Sequence, residues 1–176
     1  MYSDIDTKRE NFTFRIDSKI MQIIKDRSKM ENVSVNQYVN HLLRGSTEWN
    51  IHALTAGWVP MPKQLLLTLI DKFTEDELSQ LACKKGKEIA QDILLFIDGK
   101  YDVESWINFI KIRAGAAGFR YSEQLENNTT KCIIYHGMGK KWSAWFANFY
   151  KTVFDDLKKH AAFEVGENTI IMTITR

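Results

Sequence analysis

Residues 11–16 alternate polar and apolar side chains. Phe12, Phe14 and Ile16 share one side of an extended chain and Asn11, Thr13 and Arg15 the other, the period of two of a half-buried strand. Behind this run the period lengthens. Asp17 and Ser18 offer capping side chains for a helix of about three turns, with Ile20, Ile23, Ile24 and Met30 along its apolar stripe. Asn32 tolerates the left-handed conformation that ends such a helix. Ser34 then caps a second helix, with Val35, Val39 and Leu42 at i, i+4 and i+7 and Tyr38 and Leu43 beside them. A lone strand leaves its backbone donors and acceptors unpaired, so this segment calls for a partner strand from outside it.

Residues 1–10 are polar and without period, as expected of a mobile arm. Residues 49–62 hold Trp49, Ile51, Leu54 and Trp58 and end in Pro60 and Pro62, a partly helical hinge between a module at 1–48 and a domain at 63–176. That domain opens with a short helix over residues 63–72. Thr74 with Glu77 three residues on forms a capping box for a long helix to Ile97, broken at Asp98 and Gly99. A third helix starts at Asp102 or Val103 and ends in the small residues 114–118. Strands over 119–125 and 131–136 flank a turn at Asn127 and Asn128, a helix covers 140–160, and strands over 162–165 and 169–175 close the chain. Helices first, then strand, strand, helix, strand, strand, reads as α+β with an antiparallel sheet. This order is similar to that of small-molecule sensor domains of the four-vinyl-reductase type.

The FTFRI alternation, the Asp17-Ser18 helix entry and the VSVN turn into the second helix resemble the ribbon-helix-helix family of Arc and MetJ type. In that family two chains pair their strands into a ribbon over four intertwined helices, and the ribbon reads a DNA groove. The resemblance covers residues 11–45. It implies DNA base contacts from Asn11, Thr13 and Arg15, and phosphate contacts at the helix start formed by Ser34, Val35 and Asn36. The chain departs from the family at Asp17, often Pro there, and at Arg27, usually apolar.

Composition narrows the classes. A chain of 176 residues with 44% hydrophobic and 12% aromatic content carries a substantial core. No apolar run approaches the roughly 20 residues of a membrane helix, and the first ten residues lack the apolar core of a signal peptide, so a cytoplasmic protein without membrane contact is expected. Two cysteines, Cys83 and Cys132, are too few for a disulfide framework. The net charge of +2, with eight basic against seven acidic residues in the first fifty, is low for a non-specific nucleic-acid binder. Any DNA affinity would rest on helix N-termini and a few placed side chains.

Candidate chemistry in the larger domain is sparse. Cys132 and His136 fall on one strand face but roughly 13 Å apart, too far to share a metal ion. Gly137, Gly139, Lys140 and Lys141 sit where a strand enters a helix and form a candidate anion or ligand site, against the simpler reading of a tight turn with solvated lysines. Trp142, Trp145, Phe146, Phe149, Tyr150, Val153, Phe154 and Leu157 make one helix face wider than a single buried stripe, so core, dimer surface and ligand pocket all remain open for it. No catalytic set, metal site or cofactor motif stands at recognisable spacing. The expectation is therefore not an enzyme but a transcription regulator without a cofactor. It would bind double-stranded DNA as a homodimer or dimer of dimers, its second domain serving assembly or the sensing of a small-molecule effector. The alternative is an antitoxin-like protein-interaction module that uses the first unit to dimerise.

Overall fold

The computed structural model describes residues 10–126 and 128–175. The arm expected over residues 1–10, apart from Glu10, and Asn127 of the expected hairpin turn lie outside the described residues. Packing divides the chain into two units, the first ending at Ile51 and the second starting at His52.

In the first unit, α1 (Ser18–Met30) and α2 (Val35–Gly45) pack as a helical hairpin. Asp17 caps α1 by accepting from the amides of Lys19 and Ile20, at 2.8 and 3.4 Å. Asn32, at φ 54°, turns the chain out of α1, a conformation Asn adopts more readily than other non-glycine residues. The strand expected over residues 11–16 is not formed by the single chain, because a ladder needs a second strand and this unit has no other among its described residues. Phe12, Phe14 and Ile16 are accordingly exposed, as are Ile20, Ile23, Met30, Leu42 and Leu43. Only Ile24 and Ser28 are buried in α1, and no residue is buried in α2. The segment expected as a hinge over residues 49–62 is helical as far as Thr55, through a π-helical turn (Ser46–Asn50) and α3 (Ile51–Thr55). It turns afterwards at Gly57, whose φ of 79° suits glycine.

The second unit is α+β. Its helices are α4 (Lys63–Ile70), α5 (Glu75–Ile97), α6 (Val103–Ala116) and α7 (Lys140–Asp156). Its strands β1 (Arg120–Glu126), β2 (Thr129–Tyr135), β3 (Ala161–Val165) and β4 (Thr169–Thr175) form one antiparallel sheet in the order β1-β2-β4-β3. Alternation along the central strands decides which face is core. Thr130, Cys132 and Ile134 of β2 stand opposite Ile174, Met172 and Ile170 of β4, and all six are buried.

Helix α7 packs against both β3 and α5, which accounts for the width of its apolar face: Trp142, Phe149, Tyr150, Val153 and Phe154 are buried along one helix. Helix α5 approaches it along Ala82, Gly86 and Ala90, four residues apart and all buried. A Cβ added at Gly86 would lie 3.4 Å from the Phe149 carbonyl oxygen, in van der Waals contact across the helix pair. Trp106 of α6, fully buried, completes this layer by stacking on Phe109 at 5.3 Å and meeting Tyr150 edge-on at 5.7 Å.

Candidate functional site

At the first unit, the two helix N-termini differ electrically. A helix start carries about half a positive charge and amides without intrahelical acceptors, which suit an anion. The start of α1 is already filled by its own carboxylate, Asp17. The start of α2 is capped by the neutral Ser34, with no acidic residue in its first turn. There Gln37 Oε1 accepts from the Ser34 amide and hydroxyl at 2.9 Å each, while the Gln37 amide donates to Ser34 Oγ at 3.2 Å. This reciprocal box satisfies the amides of Ser34 and Gln37 and leaves those of Val35 and Asn36 without an intrahelical acceptor. Of the three residues that the resemblance implies for phosphate, Val35 and Asn36 have amides free of an intrahelical acceptor, whereas Ser34 caps the turn.

Asn11, Thr13 and Arg15 are exposed in the segment ahead of α1. The single chain does not place them on a strand. Arg27 and Lys29, both exposed and outside the residues implied for DNA contact, form the basic last turn of α1 and lead through a short turn to α2. Their signal was their place at a helix C-terminus beside a second helix start, not a run of basic residues.

In the second unit, the turn from β2 into α7 is tied internally. His136 is buried; its Nδ1 accepts from the Met138 amide at 3.0 Å, and its Nε2 lies 2.8 Å from Ser143 Oγ. These partners assign the proton to Nε2. Burial, with the Lys63 ammonium nearby, lowers its pKa from 6.5 to about 4. Gly137 and Gly139 both take positive φ, 61° and 84°. The Gly139 amide donates to Asn168 Oδ1 at 3.0 Å, and Lys63 Nζ donates to the Gly137 carbonyl at 2.6 Å. Lys141 Nζ donates to the carbonyls of Asp71 and Phe73, at 3.2 and 2.9 Å. Of the candidate anion-site residues, Gly139 and Lys141 therefore have protein partners, and Lys140 is exposed.

Elsewhere, an open groove of about 390 Å³ runs between residues 56–59 and Ile89, Asp92 and Ile93 of α5. Trp58, in its wall, carries the Arg113 guanidinium 4.8 Å from its ring centre. Cys132 is buried against the Tyr121 hydroxyl at 3.2 Å, and burial pushes its thiol pKa up, so it resists forming thiolate. Among the described residues no three His, Cys, Asp or Glu side chains gather as a metal set, and no helix is long and apolar enough to cross a membrane.

No family model matches the chain, and no curated protein matches it by sequence. Among solved structures it is similar to a Cs H-NOX mutant carrying the unnatural amino acid 4-cyano-L-phenylalanine at site 5. The identity is 12% and the TM-score 0.27, over 99% of this chain and 80% of that one. A likeness this loose carries no argument about fold or ligand.

Proposed function

We propose that the protein is a sequence-specific DNA-binding regulator whose first unit is half of a ribbon-helix-helix dimer. One observation carries the reading: among the described residues, nine large apolar side chains between Phe12 and Leu43 are exposed, around almost no core in the first unit. Burying such side chains contributes about 1.5–3 kcal/mol each, and a second copy supplies both the missing core and the missing strand. Paired ribbons bring Asn11, Thr13 and Arg15 of both chains to one face, with the Val35 and Asn36 amides of α2 available to the flanking phosphates.

The second unit, with its own sheet and aromatic core, serves assembly or effector sensing in this reading. The test has two parts. Sedimentation is expected to give a dimer at micromolar concentration, and duplexes selected from a random pool are expected to bind with an affinity that falls as salt rises. A folded monomer would overturn the reading, as would a dimer that selects no sequence. The second result would favour the interaction-module alternative.

A further inference from the structure

We infer that the aromatic cluster beneath α4 is a binding site for an amphipathic carboxylate with an aliphatic or aryl body, opened when α4 lifts away. The inference goes beyond the DNA-binding reading and rests on the second unit alone.

Ile70 of α4 clusters with Leu78, Met138 and Trp142, and Leu66, Leu67, Phe119, Trp145 and Phe146 pack against that cluster. The indole N–H groups of Trp142 and Trp145 are buried here without an acceptor, their rings 5.3 Å apart. A buried donor with no partner is a standing cost that phenylalanine would avoid while filling similar space. Trp145 meets the Phe146 ring edge-on at 4.8 Å, but a contact of N–H with a ring is a weak substitute for a true acceptor. Two adjacent unmet donors therefore point to an acceptor that arrives with a ligand.

Helix α4 is the element that can admit it. It is eight residues long and has no side-chain cap at its start, and so short a helix is marginal without its packing. Its outer side chains Leu65 and Leu69 are exposed. Two exposed lysine clasps hold its ends: Lys63 on the Gly137 carbonyl, and Lys141 on the carbonyls of Asp71 and Phe73. Releasing these clasps frees the Lys141 ammonium at the rim of the cluster, while Lys63, the first residue of α4, leaves with the helix.

The polar groups then decide the ligand. Both indoles and Lys141 donate, while the acceptor nitrogen of the neighbouring His136 is already taken by the Met138 amide. Asp71 follows the last turn of α4 and leaves with it, as Lys63 does. A surround of donors fits a group that only accepts, which is an ionised carboxylate. The walls of Met138, Phe119, Phe146 and Leu78 take its apolar body.

The test compares dodecanoate, dodecanol and dodecylammonium, each below its micelle concentration, by calorimetry on the full chain without DNA. Dodecanoate is expected to bind saturably and on the order of tenfold more tightly than dodecanol, and dodecylammonium most weakly. Hydrogen exchange is expected to show the α4 amides losing protection when dodecanoate is added. Trp142→Phe, alone and with Trp145→Phe, is expected to hold or raise the melting temperature while weakening dodecanoate by about tenfold, which a purely structural indole would not do. Equal binding of the three amphiphiles, no saturable binding, or unchanged α4 exchange would each overturn the inference. The exchange measurement on the unaltered protein decides the matter even if the variants fail to fold. Because no DNA is present, neither this result nor that of the DNA test depends on the other.

Discussion

His136 Nε2 lies 2.8 Å from Ser143 Oγ across the turn from β2 into α7, and His136 Nδ1 accepts from the Met138 amide. Both ring nitrogens are thus used by the neutral imidazole, and a proton on Nδ1 would face the Met138 N–H. The ring is buried, with Phe119 edge-on at 6.0 Å. With its pKa lowered from 6.5 to about 4 in the folded chain, the unfolded chain binds the extra proton first as pH falls. The stabilisation is complete above pH 6.5 and is lost as pH drops toward 4, up to about 3 kcal/mol in all. Urea midpoints measured from pH 7.5 to 4.5 are expected to fall more steeply for the wild type than for His136→Gln, which keeps one donor and one acceptor but does not titrate. Parallel slopes would show that the imidazole does not carry the dependence. The comparison with His136→Gln also removes the contribution of Asp102 and Asp156, whose pKa values are lowered by the Ser105 amide and by Lys87 respectively.

Gly86 lies where α5 meets Phe149 and Thr152 of α7. A methyl group there would touch the Phe149 carbonyl oxygen at 3.4 Å, and the Phe149 ring and Thr152 Cβ at 3.5 Å. Those are contacts rather than overlaps, so Gly86→Ala is expected to be close to neutral: a helix-propensity gain of about 1 kcal/mol offsets a tight fit. Gly86→Val adds two further carbons where backbone and ring already stand, and is expected to cost about 1–3 kcal/mol. Chemical denaturation of the two variants checks the ordering, and a valine variant as stable as the alanine one would show that the helices move apart freely.

Local signals were legible in the sequence and long-range ones were not. Thr74 and Glu77 announced the start of α5, and their capping box is present, with Thr74 N–H donating to Glu77 Oε2 at 2.8 Å. The periods of β2 and β4 located both strands to within about two residues, because a two-residue repeat over buried positions is a local property. The sheet order was not legible, since the pairing of β2 with β4 is made across α7, a connection whose path no local period encodes. The stripe of Ala82, Gly86 and Ala90 gave little signal because small residues contribute helix contact through closeness rather than apolar area. At the β2–α7 turn the glycines were visible, but the partner of the Gly139 amide, Asn168, lies 29 residues further on. The first unit differs: Asp17 and Ser34 marked its helix starts, while the alternation of residues 11–16 is not expressed as a strand.

Arg15 and Ser34 separate base reading from phosphate holding within the proposed dimer. Arg15, on the same parity as Asn11 and Thr13, is the one of the three that can donate a bidentate pair to guanine in the major groove. Arg15→Ala is expected to cost about 1–3 kcal/mol on the selected duplex, to relax preference at one base position, and to leave the dimer intact. Ser34→Ala removes the hydroxyl that anchors the Gln37 amide at 3.2 Å. It is expected to loosen the first turn of α2 by about 1 kcal/mol. The Val35 and Asn36 amides proposed to meet phosphate are then less well held, and phosphate contacts carry no sequence information. Its loss should therefore fall equally on selected and scrambled duplexes. Titration of the wild type and both variants on the two duplexes at low and high salt distinguishes these patterns. If Arg15→Ala binds both duplexes as the wild type does, residues 11–16 do not read DNA, and the exposed apolar side chains of the first unit serve a protein partner instead.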